Sequence, residues 1–222
     1  MQLYLVRHGE TEWNKQYRYY GRTDIPLNDE GRRQAEKIGD LLKDISFDKI
    51  YSSPLLRAKQ TEEMIAHRKN GMAHGERKIA LELAEQDLGI FEGYTYQELQ
   101  THFPEQVKMW NEDFKKAPHG GEIFDDFYKR IFTFCEKELE IEGLQQRKQE
   151  SRKQKQFLMV PKEREQEKVL IVSHLAVIRC LFTILLGMDE DAIWSFTVEQ
   201  GAYSRIDIED GYAIIRKINQ SL

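Results

Sequence analysis

Long apolar runs are missing from this chain: no stretch of its 222 residues approaches the length needed to cross a bilayer. The N-terminal apolar run is broken by Arg7 within a few residues, too early for a signal peptide. Cysteine is scarce. Cys135 and Cys180 sit in helix-like segments without metal-ligand spacing, so they read as reduced, buried thiols of a cytoplasmic protein. A strong charge of either sign is also lacking. The formal net charge of −5 gives the whole molecule no bias towards nucleic acid. No internal repeat is visible. What is present is 40% hydrophobic and 32% charged residues, over a length that suits one domain with a sizeable core.

The pattern along the chain alternates strands with helices. Residues 3–6 read as a buried strand. "NDEGRRQAEKIGDLLKDI" carries helical spacing through Ala35, Ile38, Leu41 and Leu42. Residues 49–51 are a short strand, followed by the helix "SPLLRAKQTEEMIA", with Ser53 as its N-cap and Pro54 in its first position. Residues 79–83 read as a weak strand. An aromatic helical region covers 96–114 with a break at Pro104, and another helix covers 122–141. "KVLIVSH" is the strongest buried strand and leads into the helix "LAVIRCLFTILLG". The C-terminal alternation around Asp210-Gly211 is a hairpin or a pair of edge strands. These elements predict an α/β three-layer sandwich, a mostly parallel central sheet flanked by helices. The expected organisation is a single domain over 1–222, with a helical covering region near 90–120. A charged insert near 143–167, too long for an ordinary helix-to-strand connection, carries one apolar patch, "FLMV".

Three strand-to-helix junctions deliver chemistry. The first gives Arg7 and His8, the second Arg57, and the third His174 directly after "VLIVS". Ligands of open α/β sheets bind beyond the carboxyl ends of the strands, so these junctions are expected to converge. Two arginines with helix N-termini make an anion site, and two imidazoles add a nucleophile and a donor. A phosphoryl group suits that set better than a carboxylate, because it offers oxygens to several donors at once. The loop "LELAEQDLGIFEG" adds Glu82, Glu85, Asp87 and Glu92. A carboxyl group there, with its pKa raised by burial and like charge, has what a general acid needs. The remaining histidines read as solvated or loop residues, His119 being the one placed to reach the pocket.

At this point the chain resembles the histidine phosphatase superfamily, in the branch of cofactor-dependent phosphoglycerate mutases and their phosphatase relatives. The stretches that carry the resemblance are "LVRHGETEWN", "GRTDIPLNDEGRRQA", "SSPLLRAKQT", "ELAEQDLGIFEG", "PHGGE" and "VSHLAVIR". They occur in family order and cover the chain apart from the insert. The resemblance implies a phosphoglycerate mutase-like fold and roles for individual residues. His8 matches the histidine that is phosphorylated, and Arg7 and Arg57 the arginines that hold the phosphoryl oxygens. His174 matches the second histidine on the phosphoryl group, Glu85 the acid/base carboxylate and Asn14 a polar phosphate contact. Two positions depart from the pattern: Leu175 stands where glycine is usual, and Ile123 where serine usually follows Gly-Gly-Glu. Both bear on substrate size more than on chemistry.

The implied activity is a phosphomonoesterase acting on small phosphorylated metabolites through a phosphohistidine on His8. It needs no cofactor and no metal, and has no nucleic-acid or membrane partner; a homodimer is left open. A mutase is the second reading, weakened because the chain lacks segments like "LNERHYG" and "RRSYD" and has Gly120-Gly121-Glu122 as the phosphatases do. A non-catalytic phospho-ligand binder is the third, opposed by the full set of His8, His174, Arg7, Arg57 and Glu85. A metallohydrolase using the histidines and Glu85 is weaker still, since two adjacent arginines repel a dication.

Overall fold

The computed structural model describes residues 1–68, 75–141, 144, 166–209 and 212–221. Most of the expected charged insert, with its "FLMV" patch, lies outside these residues, as do His74 and the Asp210-Gly211 turn.

Strand β1 (Gln2–Arg7) sits near the middle of a six-stranded sheet of order β3-β2-β4-β1-β5-β6. Its neighbours are β4 (Lys168–Ser173), parallel to it, and β5 (Tyr203–Glu209), antiparallel. Strands β2 (Lys49–Ser52) and β3 (Glu76–Ile79) continue the parallel half, and β6 (Tyr212–Gln220) closes the other edge. Successive strand residues point to opposite faces. Leu3 and Leu5 accordingly join one apolar cluster, while Tyr4 and Val6 join another. The first cluster includes residues of α6 (Phe124–Lys137) and α7 (Leu175–Leu185), and the second residues of α2 (Asp29–Leu42) and α3 (Leu56–His67). The result is the three-layer α/β sandwich expected from the sequence. β4 is buried on both faces from Val169 to Ser173, which is why it reads as a continuous apolar run.

Helix α2 shows how local sequence sets an element. The Asn28 side chain accepts a hydrogen bond from the Gly31 N–H (2.8 Å), and Asp29 and Glu30 fill the first turn, where the helix dipole favours negative charge. Ala35, Ile38 and Leu42 then bury one face. Gly9, directly after His8, packs against the first turn of this helix. A Cβ on Gly9 would lie 2.3 Å from the Gly31 carbonyl oxygen, so a side chain there would push α2 off the strand end.

The covering region forms its own small cluster of Phe91, Leu99 and Val107, joined by Tyr19 and Trp110. Two short helices, α4 (Tyr96–His102) and α5 (Pro104–Glu112), build it, and the break falls at Pro104 as expected. A four-residue helix, α1 (Glu12–Lys15), follows β1 and is capped by Thr11.

Three sequence expectations need correction. The weak strand expected over 79–83 lies earlier, at Glu76–Ile79, and Leu81–Leu83 is a single 3₁₀ turn. β3 is an edge strand exposed at all four residues, so it has no apolar pattern to read; Leu81 itself is 70% exposed. Ser53 and Pro54 do not cap α3, which starts at Leu56 after an N-cap at Leu55 with no side-chain cap bond. The helix expected over 122–141 is shorter at both ends, Phe124–Lys137.

Candidate active site

Strand register brings the junction residues together. Arg7 pairs with Ser173 and Ser52 with Val172, so the carboxyl ends of β1, β4 and β2 finish side by side. The His8 N–H donates to the Ser173 carbonyl (2.9 Å), and the Ser53 N–H donates to the Val172 carbonyl (3.0 Å). The rings of His8 and His174 then lie 5.1 Å apart between centroids, although 166 positions separate them in sequence.

His8 is 4% exposed. Its Nδ1 lies 2.7 Å from the carbonyl oxygen of Gly9, which can only accept, so Nδ1 carries the proton and Nε2 keeps its lone pair. Burial holds the imidazole well below its usual pKa, and the charges of Arg57 and Arg7 push the same way. Burial is the larger of these causes.

His174 and Arg57 are fully buried. Arg57 Nε donates to His174 Nδ1 (3.2 Å), Nη1 to the Thr23 carbonyl (3.0 Å) and Nη2 to the Gly21 carbonyl (2.7 Å). Three of its five N–H groups are thus engaged, and the guanidinium stacks over the Tyr20 ring with Cζ 4.6 Å from the centroid. Because Arg57 can only donate, His174 carries its proton on Nε2, which donates to Ser53 Oγ (2.7 Å). Ser53, expected as a helix cap, therefore orients the second histidine instead. Arg7 uses Nη1 on the Val198 carbonyl (2.9 Å), while its buried Nε has no hydrogen-bond partner among the described residues. A buried, orphaned cationic donor at a cavity wall is a place for an anionic oxygen.

Asn14 is bound through its amide oxygen, which accepts from Thr11 N–H (3.1 Å), Tyr20 OH (2.7 Å) and Gln200 Nε2 (2.8 Å). Its amide nitrogen is the group left for a ligand. The loop carboxylates separate clearly. Glu92 accepts from the N–H groups of Gly21, Arg22, Thr23 and Leu88 and from the Thr23 hydroxyl. Burial pushes its pKa up, but these bonds outweigh burial and hold it below the usual range. Asp87 caps Gly89 N–H (2.8 Å). Glu85 lines the cavity, and burial raises its pKa despite N–H bonds from Gln86 (3.0 Å) and Ala176 (3.2 Å). Arg130, which sequence reading missed, fixes that loop. It donates to the carbonyls of Glu82 and Glu85 and is paired with Glu122, Nε to Oε1 at 2.7 Å.

Of these residues, Arg7, His8, Asn14, Arg57 and Glu85 line a cavity of about 370 Å³, whereas His174, fully buried, is not one of its lining residues. Leu175, the bulky departure after His174, is also in its wall. Ile123 is not a lining residue and is 54% exposed, so that departure does not shape the cavity. His119 is exposed and likewise not in the wall. Tyr20 is a lining residue with no signal of its own in the sequence; it stands out only by its contacts with Arg57 and Asn14.

A family model described as histidine phosphatase superfamily (branch 1) matches residues 3–221. The chain belongs to the histidine phosphatase superfamily. Phosphoserine phosphatase 1 of Hydrogenobacter thermophilus is 32% identical, over 99% of this chain and 92% of its own length. Adenosylcobalamin/alpha-ribazole phosphatase of Escherichia coli is 31% identical, over 99% and 96%. Among solved structures, the alpha-ribazole phosphatase from Shigella flexneri superposes with a TM-score of 0.80 at 31% identity, covering 99% of this chain and 96% of that one. This histidine phosphatase is thus an enzyme of the phosphomonoesterase class expected from its sequence. No helix among the described residues is long and apolar enough to cross a membrane.

The buried histidines give this histidine phosphatase a predicted acid sensitivity. Above the ordinary value of 6.5, neither His8 nor His174 is protonated in the folded or unfolded chain. Below it the unfolded chain binds protons that the native site refuses, so stability falls. The slope is about 1.4 kcal/mol per pH unit for each histidine. Glu85, raised in the fold, opposes this with one proton as pH drops towards 4.5. Urea midpoints should therefore decline as pH is lowered through 6.5, and His174→Asn should flatten the decline. A midpoint independent of pH between 7.5 and 5.5 would show that the histidines are not buried neutral.

Proposed function

We propose that the protein is a metal-independent phosphomonoesterase of small phosphorylated metabolites and that His8 is its phosphoryl acceptor. The observation that carries this is the Nδ1–H bond from His8 to Gly9, which leaves Nε2 unprotonated beside two arginines with unused N–H groups. In the reading, His8 Nε2 attacks phosphorus, the P–O bond to the alcohol breaks, and Glu85 gives its proton to the leaving oxygen. Water then loses a proton to Glu85, attacks phosphorus and breaks the P–N bond, restoring both groups. Arg7 and Arg57 offset the two negative charges of the ester. His174 adds its Nε2–H once that group exchanges Ser53 for a phosphoryl oxygen, and Asn14 adds its amide nitrogen.

No metal is part of this cycle. Arg7 and Arg57 supply the positive charge that a metal would otherwise bring. Residues 1–222 act as one catalytic domain, with α4 and α5 covering the site. Buried Cys135 and Cys180 fit a cytoplasmic setting. The named activities of the relatives, on phosphoserine and alpha-ribazole phosphate, support a small-metabolite ester as substrate.

The test is hydrolysis of para-nitrophenyl phosphate in EDTA. Turnover is expected to survive chelation and, in a parallel assay without EDTA, to be inhibited by vanadate, which mimics the five-coordinate phosphorus. Loss of all activity on chelation, restored by added metal, would sink the metal-free reading.

A further inference from the structure

We propose that the cavity receives, beyond the phosphoryl group, a bulky and largely apolar alcohol that carries a carboxylate, and that Arg179 binds that carboxylate. The inference rests on the phosphomonoesterase reading and concerns the leaving group alone.

The cavity wall has two chemically distinct sets of residues. The phosphoryl groups form one. The other is made of Trp110, Phe114, Phe124, Leu175, Ile193 and Trp194. Their rings are locked edge to face: Phe114 lies 5.0 Å from Phe124 and 5.5 Å from Trp194, centroid to centroid. Such a wall gains nothing from a small, fully hydrated alcohol, and gains roughly 25 cal/mol for each Å² of apolar surface it covers. A volume of about 370 Å³ accommodates a ring-sized leaving group.

Two further arginines line the cavity: Arg18, paired with Glu98 (2.9 Å), and Arg179. Arg179 lies one turn after Leu175 on α7, so the two share a helix face, and both line the cavity. Its Nε donates to the Phe196 carbonyl (2.9 Å), and its Cζ sits 5.4 Å from the Trp194 ring centroid. The guanidinium is therefore held in place, yet neither Nη atom has a hydrogen-bond partner among the described residues, and no acidic side chain there pairs with it. Compare Arg57, bonded through all three nitrogens, and Arg130, paired with Glu122. The preceding turn of α7 supplies the Ala176 N–H that holds Glu85, and the Glu85 carboxylate lies close enough to act on the Arg179 charge, which places Arg179 on the side of the leaving oxygen. Two parallel free N–H donors in an apolar wall fit one planar monoanion, bound side-on. A second phosphoryl dianion would call for more than one cation.

A purely structural Arg179, fastening the segment around Trp194 and Phe196, would affect all esters alike. The test therefore compares 4-carboxyphenyl phosphate with 4-carbamoylphenyl phosphate, neutral at the same position and of similar shape. Wild-type kcat/KM is expected to favour the carboxylate by about tenfold, the worth of a charged hydrogen bond. In Arg179→Met that ratio should collapse towards one, while Arg179→Lys keeps part of it. A ratio near one in the wild type, or one that survives Arg179→Met, overturns the inference. Should Arg179→Met fail to fold, wild-type inhibition decides. 4-Hydroxybenzoate should bind about tenfold more tightly than 4-hydroxybenzamide, and equal inhibition overturns the proposal. If the wild type hydrolyses neither ester nor para-nitrophenyl phosphate, it is the phosphomonoesterase reading that has failed. Hydrolysis of all three without discrimination defeats only the assignment of Arg179.

Discussion

His8→Ala is expected to reduce turnover of para-nitrophenyl phosphate on the order of 10⁴–10⁶-fold, the scale on which covalent enzymes lose rate when the nucleophile is removed. The geometry makes the loss hard to compensate. His174 is the other imidazole in the site, but both of its nitrogens are engaged, by Arg57 and by Ser53. It has no free lone pair with which to replace His8. The substitution leaves a small buried hole beside Gly9 and removes an uncharged group, so the fold should persist. Wild-type enzyme mixed with labelled substrate and quenched in alkaline detergent should carry acid-labile, base-stable phosphate on His8, and the variant should carry none. Unlabelled wild-type protein at full activity would place the reaction on a direct attack by water and end the phosphohistidine reading.

Glu85→Gln carries the second large effect, about 10²–10⁴-fold on an alkyl phosphate. A general acid matters most where the leaving oxygen most needs a proton, so the loss on para-nitrophenyl phosphate should be much smaller. The direction of the Glu85 pKa sets the pH profile as well. Burial raises it, so the proton needed for leaving-group departure is held to higher pH than in an ordinary carboxylic acid, and is lost as pH rises through that raised value. On alkyl esters, kcat should fall on the alkaline side, and in Glu85→Gln that limb should disappear. His8 does not oppose this on the acid side until well below its usual range, because burial and the two arginines keep it neutral. Equal losses on alkyl and nitrophenyl esters would assign the proton to another group.

The convergence of the candidate site residues and the frame that holds them were legible in the sequence for a physical reason. β1 and β4 are buried strands that end on Arg7-His8 and on His174, and a strand buried on both faces must be written as an apolar run. Helices α2 and α6 are amphipathic, so their spacing records which face is covered. The edge strand β3 escaped because exposure on all sides imposes no pattern.

The tertiary structure alone decided the pairings. Apart from the family resemblance, which singles out Glu85, the carboxylates Glu82, Glu85, Asp87 and Glu92 are equivalent along the chain. They differ only because Glu92 is claimed by the Gly21–Thr23 backbone, Asp87 by Gly89, and Glu85 by Ala176, 91 residues away. Ser53 looked like a helix cap until β2 and β4 set it against His174. Arg130, Tyr20 and Arg179 carry no local mark either, since a charged or aromatic residue on a helix or loop is ordinary until its partner is known. Local sequence records burial and turn, which act over a few residues. Which donor meets which acceptor across the sheet depends on strand order and register, and these are settled only when the whole chain closes on its core.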